Sequence, residues 1–179
     1  MRKNLSIFFL AVVIASCSTS VSYRTDYPLT STFITSRDGV LRCQIPQGWF
    51  SATDDSVGSS ATMLLMNEEA SAVLSVKEIR LDPLSSQQVK KLGLRFLAQL
   101  SASFLTETSS PAVEHFQEFL MNNTTFCGYE ATASTSRLRV VVFAAKGKYY
   151  ECEARNSGVG IEPLQLFIIQ QTLLSSLTF

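Results

Sequence analysis

Side chains able to do chemistry are few and scattered in this chain of 179 residues. It holds one histidine, His115, and four cysteines, Cys17, Cys43, Cys127 and Cys152. A general base needs a nucleophile and an orienting partner within hydrogen-bond reach. His115 lies in Val113-Glu114-His115-Phe116, at the start of a predicted strand, and no local motif supplies either partner. No two cysteines fall within four residues of each other and the histidine stands apart, so the ligand spacing of a zinc site is missing. The sequence contains no Gly-x-Ser-x-Gly, no His-Glu-x-x-His and no Gly-x-Gly-x-x-Gly. The acidic pairs Asp54-Asp55 and Glu68-Glu69 fall in predicted loops and read as solvated turns, and Asn122 and Asn123 each begin an Asn-x-Thr sequon. No catalytic residue, metal ligand or cofactor site is assigned, and the chain reads as a non-enzyme.

Cys17 is the residue to which a specific chemistry can be given. Before it stand a basic start, Arg2 and Lys3, an apolar stretch from Leu5 to Ala15, and small residues, the layout of a secretory signal. Ser18, Thr19, Ser20 and Ser22 end the run well short of the roughly 20 apolar residues that span a bilayer. Ile14-Ala15-Ser16-Cys17 resembles the lipobox of bacterial lipoproteins. That resemblance implies removal of residues 1–16 as a signal peptide, acylation of Cys17 with palmitate-type chains, and a membrane anchor in the cell envelope. With Ser18 rather than Asp after the cysteine, it implies the outer membrane, facing the periplasm, in a Gram-negative source.

Loss of 16 residues leaves 163, enough for one domain with a real core. Loss of Arg2 and Lys3 leaves 13 basic and 15 acidic side chains, and no basic run remains; Lys90-Lys91 and Lys146 with Lys148 are too small to bind a phosphate backbone, so nucleic acid is not expected as a partner. Export exposes Cys43, Cys127 and Cys152 to an oxidising compartment, and an odd number leaves at least one thiol free or in an intermolecular bond.

Residues 17–31 are expected to form a lipidated N-terminus and flexible tether, the fourteen residues from Ser18 reaching about 20 Å as a coil. A single globular domain is then expected over 32–179. Phe33 to Ile45 reads as a hairpin around a type I′ turn at Asp38-Gly39, with Cys43 facing the core. Pro46 ends its second strand, and Gln47-Gly48 turns Trp49 and Phe50 back onto the sheet. Ser59 to Met66 and Ser71 to Leu81 form a second antiparallel pair. The apolar parity switch after Val76 predicts either a bulge near Lys77 and Glu78 or cover on both faces.

Val89, Leu92, Phe96, Leu100 and Phe104 predict one helix over 85–104, opened by a Ser85/Gln88 capping box, with Gly93 marking close approach to the sheet. Four strands follow at 113–121, 124–133, 138–145 and 149–155. A four-residue loop at 134–137 would set Cys127 opposite Ala144, and a three-residue loop at 146–148 would set Val142 opposite Cys152. Cys127 and Cys152 would then share a face about 11 to 12 Å apart, beyond the roughly 7 Å that a disulfide tolerates. Cys43 pairing with one of the others stays open, and three buried thiols is the simpler reading. Pro163 opens an apolar C-terminal helix bearing Leu166, Ile169, Leu173 and Leu177, interrupted by Gln170 and Gln171. The fold class is therefore α+β, a twisted antiparallel sheet with two main helices packed on it.

Cys43-Gln44-Ile45-Pro46-Gln47-Gly48-Trp49 is similar to the strand and Ile-Pro-x-Gly-Trp opening of PsbP-like domains, and the element order down to Leu174-Ser175-Ser176-Leu177 resembles theirs. The resemblance implies an α-β-α sandwich, Trp49 as a packing residue and a non-enzymatic assembly or stabilising role. Two functions remain as expectations. One is a lipid-anchored, non-catalytic envelope module that contacts membrane lipid through Cys17 and an envelope protein or small ligand through its surface. The alternative is an envelope enzyme whose site no motif reveals.

Overall fold

The computed structural model describes residues 24–52, 60–109, 112–133, 136–156 and 160–179; Cys17, its leader and Asp54-Asp55 lie outside them. Nine strands and three helices run in the order β1 (Leu29–Thr35), β2 (Arg42–Pro46), β3 (Trp49–Ser51), β4 (Ala61–Asn67), β5 (Ala72–Ile79), α1 (Pro83–Leu92), α2 (Leu94–Ser109), β6 (Ala112–Met121), β7 (Thr124–Ala133), β8 (Ser136–Ala145), β9 (Lys148–Asn156) and α3 (Pro163–Ser175). Seven strands make one antiparallel sheet in the order β3-β4-β5-β9-β8-β7-β6. Its two faces carry separate apolar cores. One, with Leu74, Val76, Phe126, Val141, Phe143 and Cys152, packs under α3 and β2; the other, with Cys127, Tyr129, Ala131, Val140 and Val142, packs under α1 and α2. The architecture is the expected α+β, α-β-α sandwich, with three helices instead of two among the described residues.

The third helix comes from a break at Gly93, which has φ 83° and ψ −174°, a region open essentially to glycine alone. A Cβ there would meet nothing within 4 Å, so Gly93 serves the turn of the chain rather than a close approach to the sheet. The predicted capping box is also replaced. Asp82 caps α1 by accepting from the Leu84 and Ser85 amides, and its carboxylate also accepts a hydrogen bond from the Ser85 hydroxyl. The break resets the helical phase, so the buried face of α2 is Leu97, Ala98, Ser101 and Ala102, while Leu92 and Phe104 stand in solvent. Inside a continuous helix, Gly93→Ala would stabilise by about 1 kcal/mol. In this conformation it is expected to destabilise by about 1–3 kcal/mol, and urea denaturation reads the sign directly.

β1 starts at Leu29, not at Thr32, because the Thr30 hydroxyl donates to the Ile45 carbonyl and the Gln47 amide to that of Pro28. The fold therefore begins before the expected position 32. β1 and β2 form a separate two-stranded sheet that the chain end extends, Arg42 and Thr178 exchanging backbone bonds of 2.9 and 2.8 Å. Only Gly39 in the connecting loop has a positive φ, so the turn is not type I′; Asp38 instead directs its carboxylate toward β9, where Lys148 and Tyr150 reach it. Trp49 packs in the core, whereas Phe50, on the outer face of the edge strand, is exposed. After Val76 both faces are covered. β5 pairs with β9 without interruption from Ala72 to Ile79, Ile79 reaches the second core, and the irregularity lies in β4 between Ala61 and Met63.

Two predicted registers shift. β7 meets β8 with Ala133 opposite Ser136, two residues from the expected pairing, so the faces are preserved. β8 meets β9 through a two-residue turn at Lys146 and Gly147, both with positive φ, so Val141 and not Val142 opposes Cys152. A one-residue shift reverses faces. Cys152 thus joins Cys43 in the core under α3, Cys127 lies in the core under α2, and Glu151 and Glu153 face the α2 side. All three thiols are free and buried; burial pushes Cys43 and Cys152 up to about 12 and Cys127 up to about 11, which leaves them unreactive.

Candidate functional site

The candidate site is a cleft of about 190 Å³ between the first turns of α3 and the β6–β8 end of the sheet. Pro163 at the first helical position sets the start of α3 and leaves Leu164 beyond the sheet, 72% exposed. Phe167, Ile168 and Gln171 follow on the cleft side of the helix. The floor is Gly128, Glu130 and Arg139. Gly128 lies in the middle of β7, where an added Cβ would make ordinary contacts with the Val141 and Arg139 side chains at 3.5 and 3.7 Å, so only a larger side chain would intrude on the guanidinium. Arg139 lies against Phe167 and Phe119, at 5.7 and 5.9 Å from their ring centres.

Gln171 joins both sides of the cleft. With its amide oriented to satisfy both ends, it donates to the Arg24 carbonyl oxygen at 3.1 Å and accepts from the Arg139 guanidinium at 3.0 and 3.1 Å. Gln170, fully buried beside it, donates to the Arg139 and Cys152 carbonyls at 3.1 and 2.8 Å. The two glutamines read in the sequence as interruptions therefore tie α3 to β8 and β9.

The outer rim is a bulge in β6. Glu114 pairs with Glu130 and Gln117 with Gly128, so His115 and Phe116 together oppose one residue, and His115 takes φ 61°. The bulge also spoils an exposed edge strand as a template for pairing. The His115 imidazole is solvated, with 68% of its side chain exposed, and its near neighbour is the Glu114 carboxylate at 3.4 Å. A carboxylate, Glu130, lines the cleft, and Arg137 holds it in an ion pair. Among the described lining residues no serine, threonine or cysteine stands beside His115. What the cleft can do is bind: it offers apolar side chains on one wall, amide and guanidinium groups on the other, and an open mouth.

A second hollow, of about 270 Å³, opens on the α2 side and is lined by Glu78, Glu151 and Glu153. Its acids are engaged: Ser101 bonds Glu151 at 2.7 Å and Tyr129 at 2.9 Å, while Glu153 meets Arg155 at 2.7 Å and Lys77 at 3.7 Å. Glu68 and Glu69 stand in an exposed turn. Asn122 and Asn123, read as sequons, both have positive φ and make the two-residue turn between β6 and β7.

No family model and no curated protein matches the chain. Solved structures match it in fold. The solution structure of cyanobacterial PsbP (CyanoP) from Synechocystis superposes with a TM-score of 0.53 at 11% identity, covering 82% of this chain and 91% of that one. The crystal structure of the Saccharomyces cerevisiae Ran-binding protein Mog1p superposes with a TM-score of 0.58 at 12% identity, covering 84% of this chain and 96% of that one. The chain has a PsbP-like fold.

Proposed function

We propose that this chain is a lipid-anchored, non-catalytic binding or assembly module of the cell envelope, held to the membrane through acylated Cys17, with the cleft beneath α3 as its contact site. The observation that carries the reading is the composition of that cleft, where Leu164, Phe167, Ile168 and Gln171 of α3 stand over Arg139 and Gln117 of the sheet at an open mouth. Such a surface holds an amphipathic group, from an envelope protein or a small ligand, by apolar burial on one side and hydrogen bonds on the other. Mog1p, which has this fold, is a Ran-binding protein, so the fold is compatible with work done by binding. The lipobox at Ile14-Ala15-Ser16-Cys17 supports the anchor, and in a Gram-negative source Ser18 directs it to the outer membrane, facing the periplasm.

Cys17→Ala is expected to move the protein out of the membrane fraction and to abolish fatty-acid labelling; retention of both overturns the anchor. Cross-linking in membranes with the full-length protein is expected to recover a stoichiometric partner or ligand that a bulky Gly128→Leu substitution in the cleft floor loses. Equal recovery from both proteins overturns the cleft as the contact site.

A further inference from the structure

We infer that the end of the domain carrying Arg24 and Leu164 lies against the phospholipid headgroups of the bilayer that holds Cys17. The inference rests on the lipidation reading and adds an orientation to it. Only six residues, 18–23, separate Cys17 from Arg24. Seven Cα steps span at most about 25 Å. A domain of this size is about 38 Å across, from a radius of gyration near 15 Å. Even the fully extended reach is less than that width, so the place where the chain joins the fold decides which side meets the membrane.

That place is fixed. Arg24 lines the cleft and its carbonyl oxygen is held by Gln171 on α3. Beside it Leu164 is the most exposed of the large apolar side chains described. The α1 and α2 layer, with exposed Leu92, covers the opposite face of the sheet.

Charge does not carry the contact. Arg24 is paired with Asp26 at 3.0 Å and Arg137 with Glu130, so these two cations are matched by acids. The headgroup layer is met by an apolar side chain among charged groups that can reach water, the arrangement of an interfacial surface. Salt is therefore expected to leave the orientation unchanged.

The test couples the chain from Cys17 onward to a maleimide lipid in vesicles of phosphatidylethanolamine and phosphatidylglycerol. Cys43, Cys127 and Cys152 are buried, so Cys17 takes the reagent, and the orientation is read whether or not cells acylate that residue. A benzophenone amino acid replaces Leu164 in one protein and Leu92 in another, and illumination is followed by mass measurement of phospholipid adducts. Adducts are expected severalfold more abundant at 164 than at 92, in low and in high salt. Equal yields, a higher yield at 92, or loss of the 164 adduct in high salt overturns the orientation. Failure of the lipidation reading appears separately, as Cys17→Ala protein that stays in the membrane fraction of cells.

Discussion

Phe143→Ala is expected to cost about 3–5 kcal/mol, with a fall of roughly 10 °C in Tm for a chain of this length. Phe143 is fully buried in the sheet face under α3. It is the third ring of a row that crosses four strands at consecutive register positions, Phe119, Phe126, Phe143 and Tyr150, with neighbouring ring centres 5.4, 5.5 and 5.6 Å apart. Cross-strand aromatic pairs add about 0.5–1.5 kcal/mol beyond the area they bury, and removal of the third ring breaks two such pairs while opening a cavity between them. Phe104→Ala supplies the contrast. Its side chain is more than half exposed on α2, and its loss is expected to cost no more than about 1–1.5 kcal/mol. Urea denaturation of both variants reads the difference, and a cost below about 1 kcal/mol for Phe143→Ala would show that the row does not hold the sheet.

The strands of the large sheet were legible because turn residues and apolar runs bound them, and their succession around two helical stretches leads to the right fold class. Register was less legible. In β8 the residues Val140, Val141, Val142 and Phe143 are apolar without alternation, since both faces of the sheet are covered, and parity cannot choose between adjacent pairings. The choice falls to the turn, where Lys146-Gly147 takes positive φ at both positions. Reading Lys148 as a loop residue shifts the pairing by one and places Cys152 on the wrong face. Gly93 shows the same competition on the helical side. Helical spacing continues through it, but a glycine's freedom at positive φ ends α1 there and turns Leu92 and Phe104 outward.

The cleft was not legible, because its residues come from five separated segments and none forms a motif. Two local signals point toward it. A glycine in the middle of a strand, Gly128, marks a position where another group can lie close over the backbone. The pair Gln170-Gln171 inside an otherwise apolar helix marks groups that must find hydrogen-bond partners once buried. Both signals carry weight only after the register sets Gly128 and Glu130 beside Arg139 under α3. His115, the residue whose type draws attention first, is placed by the β6 bulge at the solvated rim.

The aromatic row ends in the second large effect, at Asp38. Tyr150 donates its hydroxyl proton to the Asp38 carboxylate at 2.6 Å, Lys148 reaches the same oxygen at 3.0 Å, and the other oxygen accepts from the Ser36 hydroxyl at 2.5 Å and the Val40 amide at 3.2 Å. Burial alone would push the carboxyl up; the bonds from Ser36, Tyr150, Lys148 and Val40 outweigh it and hold the group well below the usual carboxylate range. Lys148 also contacts Glu78 on β5, so this one side chain fastens the β1–β2 loop to the central strands.

Asp38→Ala is expected to cost about 2–4 kcal/mol, from the charged hydrogen bonds lost and the Tyr150 hydroxyl left inside without its acceptor. Lys148 is 38% exposed and adds little of this, because solvent screens it. The pH dependence separates the charge from the packing. Because the folded carboxyl is depressed, the unfolded chain binds more protons between the folded value and the unfolded value near 4, and stability rises with pH across that window. The contribution is complete above about pH 4 and is lost as pH falls toward the folded value, so the gap between wild type and Asp38→Ala should narrow in acid. Asp38→Asn retains the shape and loses the charge, and its gap should narrow in the same way. Urea denaturation at about pH 7 and about pH 3 tests both variants, and a gap that stays constant between the two would show that Asp38 holds the hairpin by packing alone. The hairpin it secures follows directly on Arg24 to Pro28, so the same carboxylate stabilises the segment by which the described chain enters the fold.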